Sequence, residues 1–559
     1  MTARGLQVLG TATFVAALAA GAAGCEAPAR SKPWRHAPEP SADQVPSTIG
    51  DILSREKGRM DAMAARGDTF SVWLDAEPRT LVPLVDPTEW TVRIAMDSVF
   101  EALVRYRPGT GEADPGGIEP VLAQSWRVLD GGRALAIELR PDVRFHDGTS
   151  MSSVDVQFSL DAARSPRTGA GELRRALASV SAVELAGPRA VRIYFHRPDA
   201  TVLRALADVP ILPARVYERK LRGGPGAPVV GTGPYRVEPG QGKDVRLVRW
   251  DDYWGAAPAI ERVAFRFEGD AARALGLLRG GELDMVAELI PEHAPEHVRA
   301  PGGAIELDTV RLRPPALRYL VLNTRGAPFD DARMRCAIDR WIDREALVAA
   351  RRGQARAVAG PVWPGGPADG PERPVTPPDR AAAARLLDEA GWRAGDDGVR
   401  QRGGRRLLVT VLVSDREDRA RDLVLEQLRA AGFVLDTRVG STAVLDNRLR
   451  EGRFDLAFVE WRGPAGSDLS PLLRSGGAMN AGGFHDARVD AIFDELREAW
   501  DPAARWRATG RLGELVAETC PIIPLTAPDP LGLVSRRVRG ATPRGGWIPL
   551  RALSLAAPQ

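Results

Sequence analysis

The sequence predicts a mixed α/β protein with more than one domain. Its 559 residues exceed the size at which a single hydrophobic core stops growing, about 250 to 300 residues. Helical and strand patterns intermix along the chain with no repeat at about 20 to 50 residues, which excludes a solenoid. Hydrophobic residues make up 44% and charged residues 27%, with a mean hydropathy of -0.20, so most of the chain should fold in water.

The folded core is predicted to start near residue 69. Thr69 to Leu74 is typical of a strand, and the spacing of apolar residues from Ile94 to Val104 suits a buried helix. Leu135 to Leu139 alternates as a strand does, and His146-Asp147-Gly148 farther along is typical of a tight turn.

Later segments carry apolar helical stripes with recognisable ends. Arg333 to Ala350 is predicted as one helix with Cys336 off its apolar face. Asp379 is predicted to cap a helix that stops at Gly391, and a helix from Leu423 to Ala431 precedes a strand from Val434 to Val439.

Two further helices are predicted near the carboxyl-terminal end. Val489, Ile492, Phe493 and Leu496 recur at helical spacing on one face. Asp501-Pro502 is predicted to open the second of these helices, since Asp is a favoured cap and proline is favoured at the first helical position.

The amino terminus is typical of a secretion signal. Arg4 precedes an uncharged stretch, residues 5–24, whose apolar centre is too short for a spanning helix of about 20 apolar residues. Ala22-Ala23-Gly24-Cys25 is similar to a bacterial lipobox, although Ala22 stands where Leu is usual. We expect residues 1–24 to be removed, Cys25 to carry a lipid anchor, and residues 25–68 to form a tether with a short helix. The alternative is ordinary signal cleavage, with Cys25 incidental.

Charge and motif content exclude several functional classes. Lys and Arg number 76 against 73 Asp and Glu, and no long block of one sign is present, so no nucleic-acid partner is expected. The sequence has no GxSxG, GxxxxGK[ST] or GxGxxG motif, so hydrolase, P-loop and dinucleotide-binding functions lack support. We expect no catalytic residue, cofactor or metal.

The remaining cysteines and histidines leave two questions open. Cys336 and Cys520 could pair or stay free thiols, because sequence alone does not give disulfide geometry. The segment from His293 to His297 matches the H-x-x-E-H pattern of zinc peptidases, with His293 and His297 as ligands and Glu296 as base. Pro295 weakens this alternative, because proline inside a helix costs about 3 kcal/mol. His146, His196 and His485 are expected to be structural.

A series of segments, in order from about residue 69 to 535, resembles the family 5 extracellular solute-binding proteins, which serve ABC importers of peptides, nickel and related solutes. The individual segments are common turns or core pieces, but their order is specific to the family. They include VLAQSW at 121–126, LRPDVRFHDG at 139–148, DVQFSL at 155–160, GTGPY at 231–235, YWG at 253–255, GGELD at 280–284, LNT at 322–324, PFD at 328–330, AGW at 390–392, FDL at 454–456 and PIIPL at 521–525.

The resemblance implies a two-lobed periplasmic-binding-protein-like fold of type II, with an extra domain inserted in the first lobe. A ligand would be engulfed when a hinge closes the lobes. On the family pattern, the first lobe is residues 69–96, 205–306 and 522–559, the inserted domain is 97–204, and the second lobe is 307–521.

The resemblance also suggests ligand-binding residues. In peptide-binding relatives, an Asp shortly after a Trp captures the ligand's α-amino group, but here Pro464 occupies that position by counting from Trp461. Asp468 could reach the site if the loop is remodelled, and Arg462 offers a fork for an anionic group. Trp461 follows a strand end and is expected to stack on a ligand in the cleft, the alternative being that it fills the lobe. Weaker candidates, placed only by family position, are Glu77, Trp90, Arg174 and Arg175.

The sequence therefore predicts the substrate-binding lipoprotein of an ABC importer. We expect a monomer outside the cytoplasm, in the periplasm or at the cell surface, with a small-molecule or oligopeptide ligand and with ABC permease subunits as partners. A ligand sensor of the same fold is the alternative within this family, and a zinc metallopeptidase is the alternative outside it.

Overall fold

The computed structural model describes residues 69–219, 228–238, 243–289, 306–363, 365–366, 368–463, 468–544 and 546–556. The predicted signal peptide, Cys25, the tether and the histidines of the H-x-x-E-H segment lie outside these residues, as does Pro464. None of the helices in the described part of the chain combines the length and hydrophobicity that a membrane crossing requires.

Two separate mixed sheets organise the chain, and we call the part built on each sheet the first lobe and the second lobe. In spatial order, the first-lobe sheet contains Leu307–Arg311, Leu531–Ser535, Met285–Val286, Thr69–Leu74, Arg262–Phe267, Val245–Arg249 and Tyr235–Glu238. The second-lobe sheet contains Ala355–Ala357, Ile522–Pro528, Ala316–Leu322, Leu456–Arg462, Leu408–Ser414 and Val434–Gly440.

A third sheet is formed by strands that lie in the chain between Thr69–Leu74 and Tyr235–Glu238, and we call the part built on this sheet the insert. In spatial order, its strands are Ala123–Leu129, Ala134–Leu139, Ala190–Phe195 and Val180–Gly187. A hairpin of Val104–Arg107 with Gly117–Pro120 precedes these strands in the chain. Smaller sheets pair Arg393–Ala394, Arg400–Arg402 and Arg405–Arg406, and Val538–Arg539 with Ser554–Leu555.

Helices connect the strands in all three parts, and many begin at an aspartate cap. The α-helices are Glu89–Ala95, Ser153–Arg164, Gly171–Ala176, Thr201–Ala205, Ala214–Tyr217, Ala271–Arg279, Ala332–Trp341, Arg344–Ala350, Arg380–Glu389, Arg419–Ala430, Thr442–Arg450, Ser470–Leu473, Ala487–Glu498 and Pro502–Thr519. Asp379 caps the helix predicted from it, through the N–H of Ala382 at 2.8 Å, and Asp501 caps the helix that Pro502 opens. Both predicted caps are confirmed.

Three predicted helices differ from the structure. The helix predicted from Ile94 to Val104 is instead Glu89–Ala95, because the chain turns at Asp97, whose φ is 61°. The segment predicted as one helix from Arg333 to Ala350 forms two helices. The backbone is no longer helical at Asp343, and the side chain of Asp343 caps the second helix. The helix predicted from Leu423 begins earlier, at Arg419, because the side chain of Asp418 caps it.

The GTGPY segment explains why the first of these helices stops. The carbonyls of Ser98 and Val99 accept hydrogen bonds from Tyr235 N at 2.9 Å and Gly233 N at 3.0 Å instead of continuing a helix. A Cβ at Gly231 would lie 1.9 Å from the Val99 carbonyl oxygen. Glycine is therefore required at position 231 for the close approach of the two backbones.

Glu101 joins this segment to the YWG segment. Its carboxyl group accepts hydrogen bonds from Tyr253 Oη at 2.7 Å, Trp254 Nε1 at 2.8 Å and Thr232 Oγ1 at 3.1 Å. Glu101 is 1% exposed, and this burial raises the pKa of its carboxyl group. The aromatic pair at 253–254 is thus part of the scaffold, as the sequence indicated.

Within the described residues, the chain crosses between the lobes twice, at residues 312–315 and 529–530. Asp529 lies at the second crossing and pairs with Arg311 and Arg313 at the first, at 3.2 Å each. The predicted lobe boundaries, 306/307 and 521/522, fall a few residues too early. Leu307–Arg311 still pairs in the first-lobe sheet and Ile522–Pro528 still pairs in the second-lobe sheet before the chain leaves each of them.

Cys336 and Cys520 form a disulfide, which answers the question that the sequence left open. The bond joins the helix Ala332–Trp341 to the residue that ends the helix Pro502–Thr519, with the two Cα atoms 5.4 Å apart. It lies at the hydrophobic core of the second lobe, in which Cys520 is buried. The first and last helices of that lobe are therefore covalently linked.

Candidate functional site

A fixed cation lies on the first-lobe side of the half-exposed region where Glu89 of the first lobe faces Arg462 of the second lobe, which we call the cleft. The helix Glu89–Ala95 presents Arg93, whose guanidinium carbon lies 5.3 Å from the Trp90 ring centre and 5.1 Å from that of Trp547. Its Nη2 is 2.7 Å from Glu288 Oε1 and also contacts Glu89, one helical turn away. We call these five residues the first-lobe wall. Cation–π contacts of this kind contribute about 0.5 to 2 kcal/mol each.

The indole groups of this wall differ in their hydrogen bonding. Trp90 Nε1 donates to Asp75 Oδ1 at 2.5 Å, in the loop after the first strand. Trp547 Nε1 is buried and has no acceptor within the described residues. The two rings of the wall are therefore anchored differently: Trp90 by a hydrogen bond to Asp75, and Trp547 by packing.

The second-lobe side carries charges at the end of the strand Leu456–Arg462. Glu460 accepts from Arg318 Nε at 2.5 Å and from Arg462. Although burial raises the pKa of Glu460, the two guanidinium charges more than offset it, and the pKa lies below its usual value. Glu460 therefore holds Arg462 beside the cleft as a charged pair.

One ion pair crosses between these two sides. Arg462 Nη1 is 3.7 Å from Glu89 Oε2, and the two side chains are 52% and 51% exposed. An exposed pair of this kind contributes only about 0 to 1 kcal/mol. The contact therefore adds little to the stability of this arrangement of the lobes.

The insert also touches the second lobe. Gly109 N donates to Asp369 Oδ2 at 3.0 Å, and Ala200 N donates to the Arg497 carbonyl at 2.6 Å. Between these contacts lies a cavity of about 230 Å³. We call it the aromatic cavity, because Tyr106, Trp126, Phe493, Trp500 and Trp506 line it together with Arg204, Arg497, Arg505, Asp369 and Asp468.

The charged groups of the aromatic cavity are held in different ways. Arg204 pairs with Asp208 at 2.9 Å, and Arg505 donates to the Leu496 carbonyl at 2.7 Å. Asp369 accepts the backbone N–H groups of Gly109 and Gly365, and burial raises its pKa to about 6. The cavity thus combines aromatic surface with both signs of charge, which suits a polar organic ligand.

The residues predicted from the sequence fall in different places. Arg462 lies at the cleft. Trp461 is 6% exposed and packs in the second-lobe core, and a ligand contact for Trp461 stays a prediction. Asp468 lines the aromatic cavity and also accepts from Ser470 N at 2.8 Å. Trp90 belongs to the first-lobe wall.

The other three candidates lie outside these groups. Glu77 is exposed, 3.9 Å from Lys243 Nζ. Arg174 and Arg175 lie on the short helix Gly171–Ala176 of the insert, where Arg174 Nη1 is 3.5 Å from the Ser165 carbonyl oxygen. Their roles in binding stay predictions.

Two histidines in the described part of the chain have side-chain partners nearby, and the structural role expected for His146, His196 and His485 stays a prediction. His146 contacts the Gly233 carbonyl at 2.9 Å and Gly231 N at 3.3 Å, and burial lowers its pKa to about 4. His485 contacts Ser475. Within the described residues, no three His, Cys, Asp or Glu side chains are grouped to hold a metal ion.

Sequence reasoning missed Arg93, Trp547, Arg505 and Asp369. The spacing of Glu89 and Arg93, four residues apart on a helix, was the one local signal available. Trp547 is more than 450 residues from Arg93, and Asp369 and Arg505 are far apart in the chain although both line the cavity. No local sequence pattern could therefore show that the residues of either pair lie close together.

Comparisons with known proteins match this architecture. The sequence model of "Bacterial extracellular solute-binding proteins, family 5 Middle" matches residues 117–482. Heme-binding protein A of Haemophilus influenzae is 23% identical over 519 residues, 87% of this chain and 92% of the relative. Di/tripeptide-binding protein 4 of Pseudomonas aeruginosa is 27% identical over 86% of this chain and 93% of the relative. HbpA2 from Haemophilus parasuis superposes with a TM-score of 0.75 at 21% identity, covering 88% of this chain and 100% of that chain, which shows a common two-lobed fold.

Proposed function

This chain belongs to the bacterial extracellular solute-binding proteins of family 5, and we propose that it delivers a small solute to the permease subunits of an ABC importer. Members of the family bind substrates for transport and are not enzymes, and we extend this to the present chain. The relatives named above are described as binding heme and di- or tripeptides. We propose a monomer that binds one solute between its lobes.

The arrangement of the cleft supports capture by closure. The two crossings at 312–315 and 529–530 join the lobes through short segments, which Asp529 ties together. Hinges in binding proteins are a few such residues between rigid lobes. The Arg462–Glu89 contact spans the cleft at little energetic cost, so the lobes can reopen to release the solute.

The aromatic cavity is the observation that carries this proposal. A space of about 230 Å³ with aromatic walls and charged groups lies where the insert contacts the second lobe. Ligand cavities commonly have this apolar lining with a few placed polar groups.

The test is native mass spectrometry of protein purified without denaturation. We expect a mass above that of the polypeptide, which falls to the polypeptide mass on denaturation, and the released molecule identifies the solute. Adding the solute back should reduce the radius of gyration measured by X-ray scattering. Protein that neither carries nor binds any small molecule from a cell extract, and never changes its radius, would overturn the proposal.

We also propose that Cys25 carries the lipid that holds the protein at the membrane. The small residues before Cys25 support this, together with the family's extracellular location. We expect the full chain to incorporate labelled palmitate and to fractionate with membranes, because several acyl chains give stable anchoring where one gives only marginal binding.

The matched variant is Cys25→Ala. It should lose the label and appear in the soluble extracytoplasmic fraction, while Cys336→Ser, which leaves Cys25 intact, should keep the label. Membrane association of Cys25→Ala equal to that of the wild type would contradict the anchor.

A further inference from the structure

Three charged groups of the aromatic cavity form no ion pair with one another in the described structure, namely Arg505, Asp369 and Asp468. Arg505 has no carboxylate at ion-pair distance among the described residues, and its Nη1 donates to the Leu496 carbonyl instead. Asp199, Asp369 and Asp468 are the carboxylates whose charges act on it from farther away. Burial lowers the pKa of Arg505 by more than these carboxylates raise it, so the distant charges do not compensate for the loss of hydration.

The two carboxylates that line the cavity are also free of cations at ion-pair distance in the part of the chain that the structure describes. Asp369 uses its oxygens for the N–H groups of Gly109 and Gly365, at 3.0 and 2.8 Å. Asp468 accepts from Ser470 N at 2.8 Å and Ser470 Oγ at 2.5 Å. Each carboxylate oxygen has a second lone-pair site, so both groups can still accept from a ligand.

The rest of the lining sets the shape of what fits between these charges. Tyr106, Trp126, Phe493, Trp500 and Trp506 offer aromatic faces on several sides. An apolar cavity of about 150 Å³ admits a benzene molecule. The 230 Å³ here has room for one ring and a short polar group, but not for a long peptide.

We propose that the aromatic cavity binds a free α-amino acid with an apolar or aromatic side chain. The ligand carboxylate pairs with Arg505, the ligand ammonium pairs with Asp369 and Asp468, and the side chain packs against the tryptophan rings. Guanidinium and carboxylate groups separated in one site match the two charges of a zwitterion. This inference rests on the proposed function, because it names the class of solute.

The experiment is calorimetric titration of the purified full chain with three probes of similar size. L-Phenylalanine carries both charges, phenethylamine lacks the carboxylate, and 3-phenylpropionate lacks the ammonium. We expect L-phenylalanine to bind about tenfold to a hundredfold more tightly than either of the others, because each charged hydrogen-bonded contact contributes that much to the binding constant.

Two variants test which residue binds each charged group of the ligand. Arg505→Gln should weaken L-phenylalanine binding about tenfold or more and leave phenethylamine binding within about twofold. Asp369→Asn should weaken binding of L-phenylalanine and phenethylamine but not of 3-phenylpropionate. Arg507→Gln, at an exposed position on the same helix, is the matched control and should bind all probes as the wild type does.

The outcomes separate this inference from the proposed function. Equal binding of the three probes, or L-phenylalanine binding that Arg505→Gln leaves unchanged, would overturn the amino-acid assignment. If native mass spectrometry identifies a bound solute of other chemistry while L-phenylalanine does not bind, the assignment is wrong and the solute-binding function stands.

Discussion

Loss of the Cys336–Cys520 disulfide should lower the free energy of unfolding of the second lobe by about 3 to 5 kcal/mol. The two cysteines are 184 positions apart, so the bond closes a long loop in the unfolded chain and removes much of its conformational freedom. It also links the first and last helices of the lobe, so its removal should affect the whole lobe.

The measurement is urea unfolding, followed by tryptophan fluorescence, of the wild type with and without dithiothreitol and of the Cys336→Ser/Cys520→Ser protein. Reductant should shift the wild-type transition to lower urea and leave the double variant unchanged. Identical transitions for reduced and oxidised wild type would show that the bond does not stabilise the lobe.

Replacing Glu101 by alanine should lower the free energy of unfolding by about 3 to 5 kcal/mol. The change removes three hydrogen bonds and leaves the buried donors of Tyr253, Trp254 and Thr232 without their acceptor. Unsatisfied buried donors cost about 1 to 3 kcal/mol each, more than the bonds themselves contribute.

Thermal and urea unfolding measure this effect, with Glu138→Ala as the matched control. Glu138 is an exposed residue of the insert, and its replacement should change stability by no more than about 0.5 kcal/mol. If Glu101→Ala is as stable as Glu138→Ala, the hydrogen bonds of this carboxyl group do not stabilise the packing of the segments at 231–235 and 253–255.

The pH dependence gives a second readout on Glu101. Burial raises its pKa in the folded protein, so between the unfolded and folded pKa values the native state binds more protons than the unfolded chain. This group therefore favours folding at low pH, and its contribution falls as pH rises through the folded pKa. The Glu101→Ala protein should lack that component of the pH dependence.

Much of the fold could be predicted from local sequence. The caps at Asp379 and Asp501 and the strand Thr69–Leu74 were all predicted, because a cap or an alternating strand depends on neighbouring residues. The helix predicted from Ile94 failed where Ser98 and Val99 bond to the distant segment at 233–235. Local propensity cannot anticipate a partner more than a hundred residues away.

The site was less predictable than the fold. Arg462 and Trp90 could be placed near the cleft by family position, but Arg93 lies between two tryptophans that are far apart in the chain. Trp461 and Arg462 are neighbours on one strand, so alternation buries the side chain of Trp461 and exposes that of Arg462. A ligand contact for Trp461 stays a prediction.

The sequence by itself determined the family, the class of function and the scaffold segments, because these depend on residue order and local turns. Only the tertiary structure decided the pairing of Cys336 with Cys520, the contact of Arg93 with Trp547, and the position of both Asp369 and Arg505 in the lining of one cavity. Each of these joins residues brought together by packing of separate elements, and packing depends on the whole chain at once.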